Sequence, residues 1–281
     1  MPSLGLASLL KTHLGMTLER RHFGTSAFLE GQHYIRTMEH PAAVCAGDVR
    51  PGLDILDVGS GGSFLPVYLG VSAGCRVVSI DLADPRDTGA ETWRRSLNGW
   101  SRRSGGRPVP TVFTRCDAGL LPFRDASFDR VFVVSTIEHM PGEGDSRAAA
   151  EIGRVLRPGG LAVISVPVGW AGMKESASSA DNEFFERQYD LHAVRYRLVK
   201  PSGLRDTYAV LLGERLPRFG VWLNAWPRET RNRYGWLVSL LAFPFWGWGP
   251  AGPSVDVMDE VDPLMHWRCG VICMTLSKPS A

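Results

Sequence analysis

The chain has almost no charge imbalance: 31 Lys and Arg stand against 29 Asp and Glu in 281 residues, a formal net charge of +2. So small an excess of base leaves no electrostatic footprint for a nucleic-acid partner, and none is expected. Cysteine is scarce as well. Cys45, Cys75, Cys116, Cys269 and Cys273 are odd in number and scattered, which excludes a disulfide framework. Cys269 and Cys273 with His266 come nearest to metal-ligand spacing, but Val271–Leu276 reads as a strand, so no metal is expected. Met1–Met16 carries Leu4, Leu6, Leu9, Leu10 and Leu14 but lacks a charged start and a long apolar core, so it does not read as a signal peptide and a cytoplasmic location is expected. The uncharged run Trp236–Pro250 is too short to cross a bilayer and is broken by Pro244.

What the chain does have is Leu53-Asp54-Ile55-Leu56-Asp57-Val58-Gly59-Ser60-Gly61-Gly62-Ser63, an apolar strand that ends in an acid and a glycine cluster. Glycine accepts positive φ, so Gly59, Gly61 and Gly62 can bend the chain tightly and present bare N–H groups to a ligand. A helix should follow from Ser63, with Leu65, Val67, Leu69 and Val71 as its apolar positions and Gly74 as its stop. A second strand, Cys75–Ile80, ends in Asp81 about twenty residues past the turn, the distance at which a carboxylate reads ribose hydroxyls; the bland alternative is a helix cap with Asp84 and Pro85. A dinucleotide would need G-x-G-x-x-G, and the sixth position from Gly59 is Phe64. Asp57, two residues ahead of Gly59, instead suits a ligand that carries an ammonium group.

Asp57-Val58-Gly59-Ser60-Gly61 resembles the first motif of the class I S-adenosylmethionine-dependent methyltransferases, of the type 11 methyltransferase-like kind, with Ser63 where the third glycine usually stands. The likeness continues through Cys116-Asp117-Ala118 after a third strand (Thr111–Arg115), Leu120-Leu121-Pro122-Phe123, a fourth strand (Arg130–Val134), and Arg154-Val155-Leu156-Arg157-Pro158-Gly159-Gly160 before a fifth (Leu161–Val166). It covers Leu53 to Pro167. The resemblance implies an α/β, Rossmann-like seven-stranded sheet with helices on both faces, and an insertion between the sixth and seventh strands forming a substrate lid. It implies S-adenosyl-L-methionine as cofactor, bound by Asp57, Gly59, Ser60, Gly61, Ser63, Asp81, Leu82, Asp117, Ala118 and Ser135, with Asp117 and the Ala118 N–H facing the adenine.

Ser135-Thr136-Ile137-Glu138-His139-Met140 follows the fourth strand, at the end where parallel strands open onto a ligand crevice. His139 is the candidate general base, with Glu138 orienting it or taking its place; a structural role for the histidine is the alternative. The chain divides into an N-terminal helical cap (1–45), a methyltransferase core (46–213), an aromatic-rich insertion (214–266), and a last core strand with tail (267–281). A helix should run from Thr25 or Ser26 to about His40, stopped by Pro41, with Gln32, His33 and Tyr34 as candidates for a lid or simply a solvated face. Arg94, Arg95, Arg102, Arg103 and Arg107 could meet an anion, or form a wet surface. Insertions at Gly169–Gln188 and Glu214–His266 should build the acceptor pocket.

Trp222, Trp226, Trp236, Trp246 and Trp248, with Arg228, Arg231 and Arg233, suit peripheral membrane contact through Trp236–Trp248, a lid over an apolar acceptor, or a contact between subunits. The expected function is methyl transfer to a small-molecule, glycan or lipid-like acceptor, by O-methylation. A catalytically silent S-adenosylmethionine-binding protein and a nicotinamide-dependent oxidoreductase are the competing readings.

Overall fold

The computed structural model describes residues 5–23, 36–169, 172–178, 184–214, 246–252 and 270–280. Five apolar runs, β1 (Asp54–Val58), β2 (Arg76–Asp81), β3 (Thr111–Arg115), β4 (Phe128–Val134) and β5 (Leu156–Val168), pair in parallel in the spatial order β3-β2-β1-β4-β5. Leu56, Val131, Val133, Ala162 and Ile164 are fully buried, as expected of parallel strands covered on both faces. After β5 come β6 (Lys174–Ser178) and β7 (Phe184–Gln188), a separate antiparallel hairpin. The main sheet is completed by β10 (Gly270–Ser277), antiparallel to both β5 and β8 (Arg205–Glu214), and by β9 (Trp246–Gly252), antiparallel to β8 at the edge. The seven expected strands are present in this Rossmann-like sheet. The eighth, β9, comes from the aromatic insertion.

Helices cover both faces. On one lie α5 (Gly144–Val155) and α6 (Leu191–Val194), the latter continuing through a π-helical turn, Arg195–Val199, into α7 (Lys200–Ser202). Their Ala148, Ile152, Leu191, Val194 and Leu198 join the strand residues in one core. On the other face α1 (Leu6–Glu19), α2 (Arg36–Ala46) and α3 (Leu65–Val71) bury Leu9, Met16, Met38, Ala42, Leu65 and Leu69. Each fully buried large aliphatic side chain there contributes roughly 1.5–3 kcal/mol. The remaining helix, α4 (Ala90–Arg103), packs Trp93 and Leu97 against Phe64.

Pro41 does not stop its helix. It lies inside α2. Proline removes one N–H, and hence one helical bond to Thr37, but Met38, Ala42, Ala43 and Ala46 are fully or almost fully buried around it, and that burial outweighs a single lost bond. Gln32, His33 and Tyr34 lie outside the described residues. Among those described, no helix is long and apolar enough to cross a membrane.

Candidate active site

The parallel strands β1, β2, β3 and β4 end on one side of the sheet, and the candidate residues gather there. Gly59 and Gly61 have φ of +76° and +49°, the left-handed region that glycine enters at no steric cost. At Gly59 the reason is also packing, because a Cβ would stand 1.9 Å from Thr136 Cγ2. Thr136 Oγ1 donates to the Gly59 carbonyl at 3.2 Å, locking the glycine turn onto the end of β4. Of the three glycine N–H groups expected to be bare, those of Gly59 and Gly61 are engaged. Those of Gly59 and Ser60 donate to the Ile80 carbonyl at 2.7 and 3.3 Å, and that of Gly61 to Asp81 Oδ2 at 2.8 Å. The turn curls back on β2 because the parallel neighbour's terminal carbonyl and carboxylate lie within reach.

Asp81 therefore stands at the tip of β2 with one carboxylate oxygen on the glycine turn and the other accepting from Ala83 N at 3.0 Å. Leu82 beside it is 66% exposed, and Leu120 across the mouth is 78% exposed. Asp117 follows β3 and is exposed; its Oδ1 accepts from Gly119 N at 2.8 Å, while Ala118 is buried. The register pair Asp81–Arg115 and the bond from Cys116 N to the Asp81 carbonyl at 2.8 Å keep these two acidic ends side by side. Asp57 is different. It is 3% exposed and accepts from Ser79 Oγ at 2.9 Å, so its carboxylate is engaged inside the sheet under the turn. Burial pushes its pKa up to about 7, against the Ser79 hydrogen bond and with the help of Asp81. Ser63 Oγ accepts from Leu65 N at 3.1 Å and lies 3.4 Å from His40 Nε2, which makes it a helix-start residue as well as a neighbour of the N-terminal helix.

Several site residues carry no sequence motif. Glu39, fully buried on α2, accepts from Ser135 Oγ at 2.6 Å and lies 3.4 Å from Ser165 Oγ, and pairs with Arg36 at 2.5 Å. Ser135 has φ of +44°, unusual for a residue with a side chain. Its conformation is held by bonds from its N–H to the Ser165 carbonyl (3.1 Å) and Oγ (3.2 Å). Ser135 is among the residues expected from the sequence; for its partners the signal is Ser165, a hydroxyl in an otherwise apolar strand. His40 is 3% exposed, and burial, with Arg36 and Arg20 adding repulsion, holds its pKa well below the usual histidine value, so it is neutral.

After β4, Ile137–His139 forms a short turn. Glu138 is 2% exposed, and its Oε2 has no hydrogen-bond partner among the described residues. Burial pushes its pKa up to about 8; its own backbone N–H and Arg36 act the other way, and Glu39 and Glu186 act with burial. The His139 side chain is 40% exposed. Its Nδ1 lies 2.9 Å from the Phe185 carbonyl, an acceptor only, so Nδ1 carries the proton there; Nε2 is 3.9 Å from Glu138 Oε1.

The first insertion supplies the wall beside this turn. Arg187 of β7, fully buried, donates to Asp145 Oδ2 (2.6 Å), to Glu175 (2.9 Å) and to the carbonyls of Met140 (3.2 Å) and Gly142 (2.9 Å). Tyr189 Oη and Arg197 Nε donate to the same Asp145 oxygen at 2.9 and 2.8 Å. The hairpin is thus riveted to the loop that carries Glu138 and His139. A groove of about 830 Å³ bounded by Asp54, Arg76, Trp100 and Val112 lies at the opposite, amino-terminal ends of the strands and has no part in this arrangement. Of the uncharged run Trp236–Pro250, residues 246–250 belong to β9 and the rest lies outside the described residues.

A parallel sheet in this order, with a glycine turn after β1 and acids after β2 and β3, defines a nucleoside-binding crevice of the Rossmann-like class. Residues 56–164, about two-fifths of the chain, match the family described as a methyltransferase domain. The ubiquinone/menaquinone biosynthesis C-methyltransferase UbiE of Bordetella avium is 35% identical over 117 residues, 42% of this chain and 42% of that protein. The chain thus matches about two-fifths of the length of such a relative. Among solved structures, the 1,6-didemethyltoxoflavin-N1-methyltransferase of Burkholderia thailandensis, with bound 1,6-didemethyltoxoflavin and S-adenosylhomocysteine, superposes with a TM-score of 0.53 at 16% identity, over 100% of this chain and 91% of that one. The [4+2]-cyclase SpnF superposes at 0.51 and 18% identity, over 86% and 81%. At these identities the likeness is one of fold.

Proposed function

We propose that this protein transfers the methyl group of S-adenosylmethionine to a hydroxyl of a small-molecule, glycan or lipid-like acceptor. The observation that carries this reading is the bond between Gly61 N and Asp81 Oδ2, which brings the glycine turn and the ribose-reading acid together across 20 residues of sequence. In this reading Asp81 takes the ribose hydroxyls, Leu82 and the Asp117–Ala118 step receive the adenine, and Gly59, Ser60, Gly61, Ser63 and Ser135 border the amino-acid tail. Asp57 acts from below, holding the turn through Ser79.

A sulfonium methyl is already activated, so alignment of the acceptor in a dry crevice can supply much of the rate. The hairpin β6–β7 walls the acceptor side through Arg187, whose guanidinium holds the Met140 and Gly142 carbonyls, and Glu138 and His139 would handle the acceptor's proton. A hydroxyl acceptor fits a site that offers the Glu138 carboxyl and the His139 imidazole as proton acceptors. The location expected is cytoplasmic, with the aromatic insertion in peripheral contact with a membrane or over an apolar acceptor.

The same fold in a [4+2]-cyclase means that cofactor binding and methyl transfer need separate tests. Purified protein with methyl-labelled S-adenosylmethionine, added to an extract of its host, should concentrate label in one of the lipid, polysaccharide or small-molecule fractions, and Asp81→Ala should abolish it. S-adenosylhomocysteine binding with no label in any fraction would count against transfer and favour a silent binder.

A further inference from the structure

We propose that Glu138 is the catalytic base, the side chain that receives the acceptor's proton as the methyl group moves, and that it loses its own proton only when a sulfonium is seated beside it. The proposal rests on the cofactor reading above.

Four observations converge on this residue. Glu138 is 2% exposed and its Oε2 has no hydrogen-bond partner among the described residues, an unsatisfied buried oxygen of the kind a native fold keeps where a ligand completes it. It sits two residues after Thr136, whose methyl packs on Gly59 where a Cβ would be 1.9 Å away, so the glycine turn that borders the cofactor adjoins this segment directly. Its surroundings are anionic: Glu39 from α2 and Glu186 from β7 both oppose its ionisation, and Arg36, the counter-charge from α2, is paired with Glu39 at 2.5 Å. Among the described residues, the other elements packed on this turn bring no further counter-charge to it, since Asp145 of α5 and Arg187 of β7 satisfy each other at 2.6 Å and β5 offers the uncharged Ser165; on the turn itself the His139 imidazole holds Nε2 at 3.9 Å from Glu138 Oε1. Finally, His139, the obvious rival, spends Nδ1 on the Phe185 carbonyl at 2.9 Å and is tied to the wall of the crevice.

Such a carboxyl is a neutral acid near pH 7 when no cation lies beside it. A cation alongside reverses that preference, because a nearby positive charge favours the ionised form. The step then balances. The acceptor oxygen attacks the methyl carbon, the carbon–sulfur bond breaks with its electron pair going to sulfur, and the acceptor's proton passes to the Glu138 carboxylate. A sulfonium and a carboxylate become a neutral thioether and a neutral acid, so the buried pair carries no net charge before or after. Product release is eased because S-adenosylhomocysteine no longer holds an ion partner, and the proton leaves Glu138 when the next sulfonium arrives.

Calorimetric titration in buffers of different ionisation enthalpy counts the protons released on binding, with S-adenosylmethionine and S-adenosylhomocysteine as the two probes and no acceptor required. At pH 7.5 the sulfonium should release roughly half a proton or more beyond what the thioether releases, and Glu138→Gln should remove that difference while both ligands still bind. In the wild type the affinity ratio of sulfonium to thioether should climb with pH and level off above about 8, a readout that stands even if the variant does not fold. Equal proton release by the two ligands, or a difference that survives in Glu138→Gln and vanishes in Glu186→Gln, would overturn the assignment. Failure of the wild type to bind either ligand would overturn the cofactor reading itself, and the Glu138 assignment with it.

Discussion

The two halves of the crevice are built by different means. On the cofactor side the chain is shaped by its own backbone: positive φ at Gly59 and Gly61, N–H groups returned to Ile80, and Asp81 on the glycine turn. On the acceptor side it is shaped by long side chains reaching across the sequence, Glu39 to Ser135 over 96 residues and Arg187 to Asp145 over 42. Backbone constraints leave their mark in short local motifs, because only glycine tolerates the conformations required. Side-chain clamps leave none. The comparison predicts that damage to one half should spare the other.

The largest effect is expected on the cofactor side. Gly59→Ala forces a Cβ to within 1.9 Å of Thr136 in a left-handed backbone, at a cost of about 2–6 kcal/mol from strain and overpacking together. S-adenosylhomocysteine binding, followed by calorimetry, should be lost. Gly61→Ala separates conformation from packing, since its Cβ would meet nothing within 4 Å, and only about 1–2 kcal/mol of left-handed strain remains. Equal effects at the two glycines would mean that the grip of Thr136 on the turn is unimportant.

On the acceptor side, Arg187→Met removes a fully buried cation and leaves Asp145 with Arg197 and Tyr189. Breaking a buried pair from one side costs about 3–5 kcal/mol, so the chemical-denaturation midpoint should fall while cofactor affinity, measured below that midpoint, stays within a few-fold of wild type. Loss of cofactor binding in the still-folded variant would show that the two halves are coupled through the Glu138 turn.

This asymmetry explains what could be read from the sequence. The order of strands, the crevice and the positions of Gly59, Asp81 and Asp117 were legible, because each is a local pattern of apolar run, glycine and acid. The satisfied N–H groups of the turn were not, since they depend on which carbonyl the neighbouring strand presents. Glu39 was hidden for a similar reason. It stands in a polar-looking stretch beside His40 and Pro41, and only the packing of Met38, Ala42 and Ala43 shows that α2 runs on through the proline and turns Glu39 inward. Likewise β9 was read as part of an insertion, because Trp246-Gly247-Trp248-Gly249-Pro250 carries glycine and proline, which disfavour strands, between its tryptophans.

A smaller effect should appear in the pH dependence of stability, and it tests whether Asp57 belongs to the sheet. Burial raises its pKa from 3.8 to about 7. Below pH 4 it is protonated in both folded and unfolded chains. Between pH 4 and 7 the unfolded chain gives up the proton while the folded one keeps it, so stability declines as pH rises and levels off above about 7. Glu138 adds a slope of the same sign up to about 8. Asp57→Asn should flatten the fall by about 2–4 kcal/mol across this range, with Glu138→Gln removing part of the remainder. His40, held neutral by burial, contributes the opposite slope below about pH 6.5, so the difference between the two curves is what counts: an Asp57→Asn curve parallel to wild type from pH 4 to 7 would mean that Asp57 is ionised against a partner in the fold.

The smallest effect is expected at His139, and it decides which of the two adjacent titratable groups handles the proton. The imidazole gives Nδ1–H to the Phe185 carbonyl and holds Nε2 at 3.9 Å from Glu138. Glutamine can supply an N–H to the same carbonyl, so His139→Gln should lose no more than about 1 kcal/mol of stability, the worth of one altered hydrogen bond. If the histidine only positions the hairpin, label transfer to the host fraction that accepts it should fall a few-fold, with its pH profile unmoved. A general base removed outright costs about 10²–10⁴ in rate. A loss of that size, with the rise in rate shifted away from pH 8, would return the proton to His139 and leave Glu138 as its orienting partner. A small loss with the profile intact keeps it on the carboxylate. The acceptor half would then owe its chemistry to Glu138, a residue that no backbone motif marks.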